Sequence, residues 1–359
     1  MNSATDFFLG SNTNEGFYSC FDELYNPDDD VRVFVIKGSA GCGKSTLMGR
    51  VADYLSKRSF VCTRVRCASD PNSLDAIICE SPEGAKLVMV DGTPPHVVEP
   101  KYYGAVEEII NLGSALDATS LKAHAATLRR LSSAAARCYR KTTGYLNAAA
   151  LIMRNSKRIQ DEYIDYEKIY NYVLGFAKRN FTGNSGEGEV HYRFHTAVTP
   201  EGAVTFSDGI NNGYKQIISI DDKIGAVSGQ ILDCLLTVAL DLGINTIVGI
   251  STFDTEELSE LLFPDQGIAV VLDNKEIIPT RKIHAQRFLD TKGMKLHKQK
   301  LSFNKKMVDE LRASAIKSLG EAKEIHDEIE KIYASCADFK STEKIYKKLI
   351  LHINSELFL

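Results

Sequence analysis

The sequence predicts an α/β protein built from two similar units, and three observations carry this prediction. A glycine-rich loop stands between an apolar strand and a helix near the N-terminus. Short apolar, β-branched runs alternate with helical segments, which is typical of a parallel sheet with right-handed crossovers. Segments of the first half also recur in the same order in the second half. Such internal repeats indicate duplicated structural units.

The glycine-rich loop follows the apolar strand 33–36 and matches the pattern GxxxxGK[ST]. In such a loop, backbone N–H groups face the phosphates, the lysine reaches the β- and γ-phosphates, and the hydroxyl ligates Mg²⁺. The following helix adds the positive end of its dipole. We therefore predict binding of ATP or GTP with Mg²⁺, with Ser45 as a metal ligand. The predicted nucleotide-binding residues are Gly38, Ser39, Ala40, Gly41, Cys42, Gly43, Lys44, Ser45 and Thr46.

A second buried strand should end in an aspartate that holds the metal from the other side. The run 86–91, KLVMVD, fits this role and makes Asp91 the second predicted Mg²⁺ ligand. Between the loop and this strand we expect a strand at 60–66 and a short helix at 72–78. The predicted core is therefore a parallel, three-layer αβα sheet of the P-loop NTPase type.

The segment that follows Asp91 contains three prolines and should be stiff. It leaves the carboxyl end of the strand beside the expected γ-phosphate, so His96 or Glu99 would position water or an acceptor. The alternative is a rigid turn with a solvated histidine. Asp70 is a second candidate base, but Asp70-Pro71 is more typical of a helix N-cap. The predicted catalytic residues are Lys44, Asp91 and His96.

The internal repeat divides the chain into units 1–182 and 189–359, joined by a Gly/Ser-rich linker. Each unit should be an α/β core followed by a helical arm, at about 114–180 and about 288–355. Helical spacing of small and apolar residues favours a helical hairpin in the first arm. Such arms either grip a partner or pack between the units. The matched segments are 8–16 with 194–202, 33–36 with 217–220, and 86–91 with 268–273.

The same alignment places 217–232, IISIDDKIGAVSGQIL, on the phosphate loop. Lys44 then corresponds to Ser228 and Gly43 to Val227, while Gly41 keeps its glycine as Gly225. A valine is unfavourable where the backbone must approach phosphate, and the main phosphate-binding charge is missing. The second unit should therefore be degenerate and unable to bind a nucleotide.

The segments FFLGSNTNEGF, GSAGCGKST and VDGTPPHVVEP, followed by a degraded second copy, resemble an uncharacterised family of bacterial two-copy P-loop NTPase proteins. Members are described as ATPases or as nucleotide-kinase-like proteins. The resemblance covers most of the chain and implies a P-loop NTPase fold and ATP binding. The second copy often keeps its own phosphate loop in that family, and this chain departs from it there.

Composition excludes several classes. Apolar residues make up 44% and charged residues 25% of the chain, and the net charge is −4. This is a globular composition that does not favour nucleic acid as a partner. The eight cysteines include no CxxC pair and should be reduced thiols. The start lacks a signal-peptide pattern, and no apolar run approaches the ~18 residues of a membrane helix. A cytoplasmic protein without a membrane partner is expected.

Three functions remain open. The favoured one is a Mg²⁺-dependent ATPase with one working site, to which Arg281 or Arg287 of the second unit would contribute charge. The second is a small-molecule or nucleotide kinase whose acceptor is held by the 91–100 loop or the arm. The third is a non-catalytic, ATP-responsive binding module. Beyond the nucleoside triphosphate, the partner is an unidentified small molecule or protein.

Overall fold

The computed structural model describes residues 6–184 and 186–357. The first half contains β1 Gly10–Thr13, β2 Gly16–Ser19, β3 Val31–Lys37, α1 Lys44–Ser56, β4 Val61–Arg66, β5 Leu74–Glu80, β6 Lys86–Asp91, β7 Glu107–Asn111, α2 Ala118–Asp161 and α3 Tyr166–Asn180. The second half contains β8 Val190–Arg193, β9 Thr196–Thr199, β10 Gly202–Thr205, α4 Asp208–Gly213, β11 Gln216–Asp221, α5 Ala226–Asp241, β12 Thr246–Ile250, β13 Leu258–Phe263, β14 Ile268–Leu272, β15 Arg281–His284, α6 Thr291–Met294, α7 Lys298–Ser335 and α8 Phe339–Leu357.

The protein is a mixed α/β structure with one large sheet in each half. The first sheet has the order β4-β5-β6-β3-β7, in which β3 is parallel to β6 and β7. The second has the order β15-β11-β14-β13-β12-β8, in which β11 is parallel to β14 and β15. From β12 to β15 the second sheet therefore repeats the strand order of the first, with β8 added beyond β12.

Strand β5 corrects the prediction of a helix at 72–78. It runs antiparallel to both β4 and β6, so the sheet is mixed and not wholly parallel. A short apolar run cannot be assigned to helix or strand by periodicity alone, and Ile77 and Ile78 favour a strand. Asp70 consequently caps no helix. Its Oδ1 accepts a hydrogen bond from the N–H of Asn72 (3.1 Å) in the turn before β5.

The layers around the first sheet also differ from the predicted αβα arrangement. Helices α1 and α8 cover one face, where Leu47 and Ile353 pack with Phe34 of β3. The opposite face packs against the N-terminal segment around Phe8 and against Phe194 from the second half. Phe8 and Phe194 form an isolated antiparallel bridge. Helices thus cover one face of this sheet, and strand-like segments from both halves cover the other.

The predicted helical hairpin is wrong, because α2 is a single helix of 44 residues. It runs antiparallel to α7, as hydrogen bonds along both helices indicate. The N–H of Asp117 donates to the carbonyl of Cys336 (2.8 Å) at one end. The Nδ2 of Asn304 donates to the Oγ of Ser156 (3.0 Å) near the other. Of the two roles considered for the arms, the structure supports packing between the units.

Each long helix carries the next helix onto the sheet of the other half. Ile169 and Val173 of α3 pack with Val227 of α5 in the second half. Leu349 and Ile353 of α8 pack beside α1 in the first half. The two halves are therefore interlocked, because the last helix of each contributes to the hydrophobic core of the other.

Two cysteines depart from the prediction of reduced thiols. Cys62 of β4 and Cys79 of β5 are paired directly across the antiparallel strands and form a disulfide. The other six cysteines are free. Within 6–184 and 186–357, no helix is long and apolar enough to cross a membrane.

The crossed packing of α8 can be tested with a cavity-forming substitution. Ile353 is 0% exposed in the first core, so Ile353→Ala should lower the free energy of unfolding by about 2–5 kcal/mol. Denaturant unfolding measures this. Leu351→Ala is the matched control on the same helix, because Leu351 is 70% exposed. Equal effects of the two substitutions would contradict the packing of α8 on the first sheet.

Candidate functional site

The loop 38–43 connects β3 to α1 and leaves backbone donors open at the start of the helix. Gly41 and Gly43 have φ values of 71° and 92°, which lie in the left-handed region that glycine adopts without a steric penalty. Gly43 is the N-cap of α1, and no side chain caps the helix. In this described loop, no protein acceptor is hydrogen-bonded to the N–H groups of Gly41 and Gly43. These donors and the helix dipole favour an anion.

Lys44 lies across the loop. Its Nζ donates to the carbonyl oxygens of Gly38 (3.1 Å) and Ser39 (2.9 Å), and it lies 3.5 Å from Oδ2 of Asp91. The ammonium group is therefore held at the loop by carbonyl oxygens and by one carboxylate. A phosphate entering the loop would meet a positive charge that is already in place.

Ser45 and Asp91 supply oxygen atoms to the cavity next to the loop. The Oγ of Ser45 accepts a hydrogen bond from the N–H of Leu74 (3.0 Å). The Oδ1 of Asp91 accepts from the N–H (3.0 Å) and the Oγ1 (2.6 Å) of Thr93. Hydroxyl and carboxylate oxygens are the hard ligands that Mg²⁺ prefers, usually with several waters. The residue types therefore fit the predicted ion.

These groups line one cavity of about 800 Å³, which lies within the range of small-molecule sites. The loop and the ends of β5 and β6 form its floor, and α2 and α7 form its roof. The lining residues used below are Asn12, Phe17, Lys44, Ser45, Asp75, Asp91, His96, Tyr139, Arg140 and Glu330.

His96 lies in this cavity wall, but it is not the solvated histidine of the alternative interpretation. It is 6% exposed and stacks on Phe21, with ring centroids 4.3 Å apart. Its Nδ1 lies 2.9 Å from the backbone oxygen of Asp91. Since a carbonyl oxygen only accepts, Nδ1 carries a proton. Glu99, the other candidate of this loop, instead forms an exposed ion pair with Lys37 (2.5 Å).

Asp75 is a site residue that sequence analysis missed. Its Oδ2 lies 3.4 Å from Nε2 of His96, and it is 5% exposed. Burial lowers the pKa of His96, but the hydrogen bond and charge of Asp75 outweigh this effect, and the net pKa is raised above 6.5. The register of the antiparallel strands β5 and β6 explains the position of Asp75. Ala76 pairs with Val90, so Asp75 lies next to Asp91 at the end of β6.

Helix α7, which belongs to the second half of the chain, contacts the loop at the roof of the cavity. A Cβ atom added to Gly41 would lie 2.7 Å from the backbone oxygen of Glu330 on α7, so the loop touches this helix. Arg281 and Arg287, the arginines predicted to contribute charge to the site, do not line the cavity. Arg287 instead lies over the ring of Tyr172 in the second half. Arg140 of α2 lines the cavity.

Helix α7 carries a group of potential metal ligands, of which His326 and Glu330 also line the cavity. Atoms of His326, Asp327 and Glu330 lie within 4.8 Å of one another. Asp327 already forms an ion pair with Lys323 (2.6 Å), and Lys323 also approaches Asp70 (3.4 Å). These contacts give the group a structural role in holding α7 against the turn before β5.

The counterpart loop in the second half is shorter than the sequence alignment implied. Four residues separate β11 from α5, at 222–225, whereas six separate β3 from α1. Gly225 has φ 98° and is the N-cap of α5, so it corresponds to Gly43 and not to Gly41. The pairing of Lys44 with Ser228 is therefore wrong. The first residue of α5, Ala226, takes the place of the lysine.

The side chain of Asp222 occupies the start of α5. Its Oδ2 accepts from the N–H of Ser228 (2.9 Å) and its Oδ1 from that of Ile224 (3.2 Å). Gln160 of α2 accepts from the N–H of Ala226 (3.1 Å). Protein oxygens thus accept from N–H groups at the second loop, whereas in the described first loop the N–H groups of Gly41 and Gly43 have no protein acceptor.

Comparison of this chain with protein-family models, with curated proteins and with solved structures found no match.

Asp222 should stabilise the second half as an internal cap. Asp222→Ala leaves two N–H groups without acceptors and should lower the free energy of unfolding by about 0.5–2 kcal/mol. Denaturant titration measures this change. Lys223→Ala, at the exposed neighbouring position, is the control and should have no effect. An unchanged stability for Asp222→Ala would show that the carboxylate does not cap this helix.

The buried pair of His96 and Asp75 should make stability depend on pH. A folded pKa raised above 6.5 gives a stabilising contribution that is complete below that pH and is lost as pH rises through the folded pKa. His96→Gln should therefore lower the free energy of unfolding more in acidic than in alkaline buffer. Unfolding curves at both pH values test this, with His191→Gln at an exposed site as the control. A penalty independent of pH would contradict the raised pKa.

Proposed function

We propose that the N-terminal half binds a nucleoside triphosphate, ATP or GTP, together with Mg²⁺, and cleaves its γ-phosphate. One observation carries this proposal. Two loops of related shape stand between a strand and a helix, and only the first combines open N–H donors with a lysine and a cavity. The second is occupied by Asp222 and Gln160. The contrast supports a phosphate site in the first half.

The residues of the first loop and Asp91 would have distinct roles in binding the phosphates and the metal ion. The open N–H groups of Gly41 and Gly43 and the N-terminus of α1 would hold the phosphate oxygens. Lys44 would exchange its carbonyl partners for the β- and γ-phosphates, and Ser45 and Asp91 would hold the metal ion. Mg²⁺ bound there would neutralise charge on the β- and γ-phosphate oxygens. Thr93 holds Asp91 in place through two hydrogen bonds.

The second half would be a duplicated P-loop core that no longer binds a nucleotide. The shared strand order of the two sheets supports duplication. The shortened loop and its internal carboxylate would exclude a phosphate by repulsion and by occupying the donors. What the second half contributes to the working site is α7, whose backbone at Glu330 adjoins the phosphate loop at Gly41.

Water is the simplest acceptor of the γ-phosphate, which would make the protein a Mg²⁺-dependent ATPase. A kinase is the second candidate, and one observation favours it. The cavity is also lined by residues outside the phosphate loop, among them Asn12 and Phe17 of the β1–β2 hairpin. These polar and aromatic side chains would line the space for a second substrate beside the nucleotide.

Nucleotide binding by one site can be tested directly. Lys44→Ala should abolish binding of a non-hydrolysable ATP analogue with Mg²⁺, because it removes the cation that faces the phosphates. Calorimetry of the unaltered chain should give one site per chain. Lys223→Ala in the second loop is the matched control and should bind normally. Residual binding by Lys44→Ala, or a stoichiometry of two, would contradict a single site in the first half.

A further inference from the structure

The phosphate loop supplies only part of the lining of the cavity. The space beside the lining residues of the β1–β2 hairpin, β5, the loop after β6 and α2 is called the side chamber. The residues that define it are Asn12, Phe17, Asp75, His96, Tyr139 and Arg140.

Helix α2 encloses the side chamber by contacts at two points. The Oη of Tyr139 lies 3.4 Å from the Oγ of Ser69 in the turn before β5. Further along the helix, Nδ2 of Asn147 donates to the backbone oxygen of Asn14 at the tip of the β1–β2 hairpin (3.3 Å). The helix is thus fixed over the chamber at both sides.

The position of Asp91 relates the side chamber to the nucleotide. In sites of this kind the strand-end aspartate faces the metal and the γ-phosphate. Asp75 is on the neighbouring strand β5 and is joined to Asp91 through His96, which contacts both residues. A molecule in the side chamber would therefore share the cavity with the γ-phosphate.

Two charged groups define what the side chamber would bind. Asp75 is a buried carboxylate that contacts His96 and the thiol of Cys67. Two carboxylate oxygens offer more acceptor positions than these two partners use, so Asp75 can also accept a hydroxyl proton from the cavity. Arg140 carries a guanidinium group that makes no ion pair within the described parts of the chain. An arginine is suited to a carboxylate or phosphate group. The two groups together fit a small molecule with a hydroxyl and an acidic group.

We propose, on the basis of the function proposed above, that the side chamber binds a small hydroxy acid as the acceptor of the γ-phosphate. Arg140 would bind its acidic group and Asp75 its hydroxyl group. The hydroxyl oxygen forms a bond to the γ-phosphorus, and the bond from this phosphorus to the β–γ bridging oxygen breaks. The electron pair stays on the nucleoside diphosphate, and the hydroxyl proton goes to Asp75. His96 is a positioning residue that orients Asp75.

The test uses the full chain, ATP labelled in its γ-phosphate, Mg²⁺ and three separate acceptors: glycerate, malate and glycerol 3-phosphate. Label should appear in the organic phosphate of at least one of them. Arg140→Ala should raise the KM of that acceptor about 10- to 100-fold through loss of a charge-assisted contact. Asp75→Asn should lower kcat by about 10²- to 10⁴-fold through loss of a proton acceptor.

Controls separate this proposal from the proposed function. Lys141→Ala changes the next residue on α2, which is 61% exposed and lies outside the lining residues, and both constants should stay unchanged. Arg140→Lys should restore part of the acceptor affinity. The dissociation constant of the ATP analogue should be the same in all variants, which also shows that each variant is folded.

Each other outcome is decisive. Release of inorganic phosphate alone with all three acceptors overturns the side-chamber proposal and leaves an ATPase. Weaker ATP-analogue binding by Arg140→Ala also overturns it, because Arg140 would then belong to the nucleotide site. Absence of nucleotide binding by the unaltered chain is the separate result that refutes the proposed function.

Discussion

The antiparallel pairing of α2 with α7 determines where the remaining elements lie. Small buried residues, among them Ala315 and Ser318, face the partner helix, and small side chains let helices approach closely. The Oγ of Ser318 donates across the pair to the backbone oxygen of Cys138 (3.0 Å). Because α3 and α8 follow directly after these long helices, the pairing places each of them on the opposite sheet. Separation of the halves would therefore expose both cores.

The same helix pair gives the two loops different surroundings. Near its middle, α2 presents Tyr139 and Arg140 to the first cavity. Near its end it presents Gln160 to the second loop, where the amide oxygen caps the N–H of Ala226, and Lys157, whose Nζ lies 2.7 Å from Glu257. One element thus forms the roof of an open cavity and closes its counterpart. The difference between the two loops therefore depends on the side chains of α2 as well as on the residues of the loops.

The sequence was sufficient to predict the elements that depend on local patterns of apolar residues and glycines. The strands before Gly38 and before Asp91, and the helix after Lys44, follow from short apolar runs and glycine spacing. The partner of His96 and the crossing of the helices could not be predicted, because they depend on contacts between distant segments, whereas β5 was missed although Ile77 and Ile78 favour a strand. Asp75 illustrates the difference: its role appears only when β5 is paired with β6.

The two loops differ in how the N–H groups at the start of the following helix find hydrogen-bond acceptors. Buried or partly buried N–H groups at a helix start need acceptors, and each one left without an acceptor is unfavourable. In the second half Asp222 meets this need permanently. In the first half Lys44 turns to the carbonyls of Gly38 and Ser39, and the N–H donors stay open. A bound anion would satisfy those donors, so a ligand of the first loop also stabilises the folded state. The second loop satisfies two of its N–H donors without a ligand, because the carboxylate of Asp222 accepts from both of them.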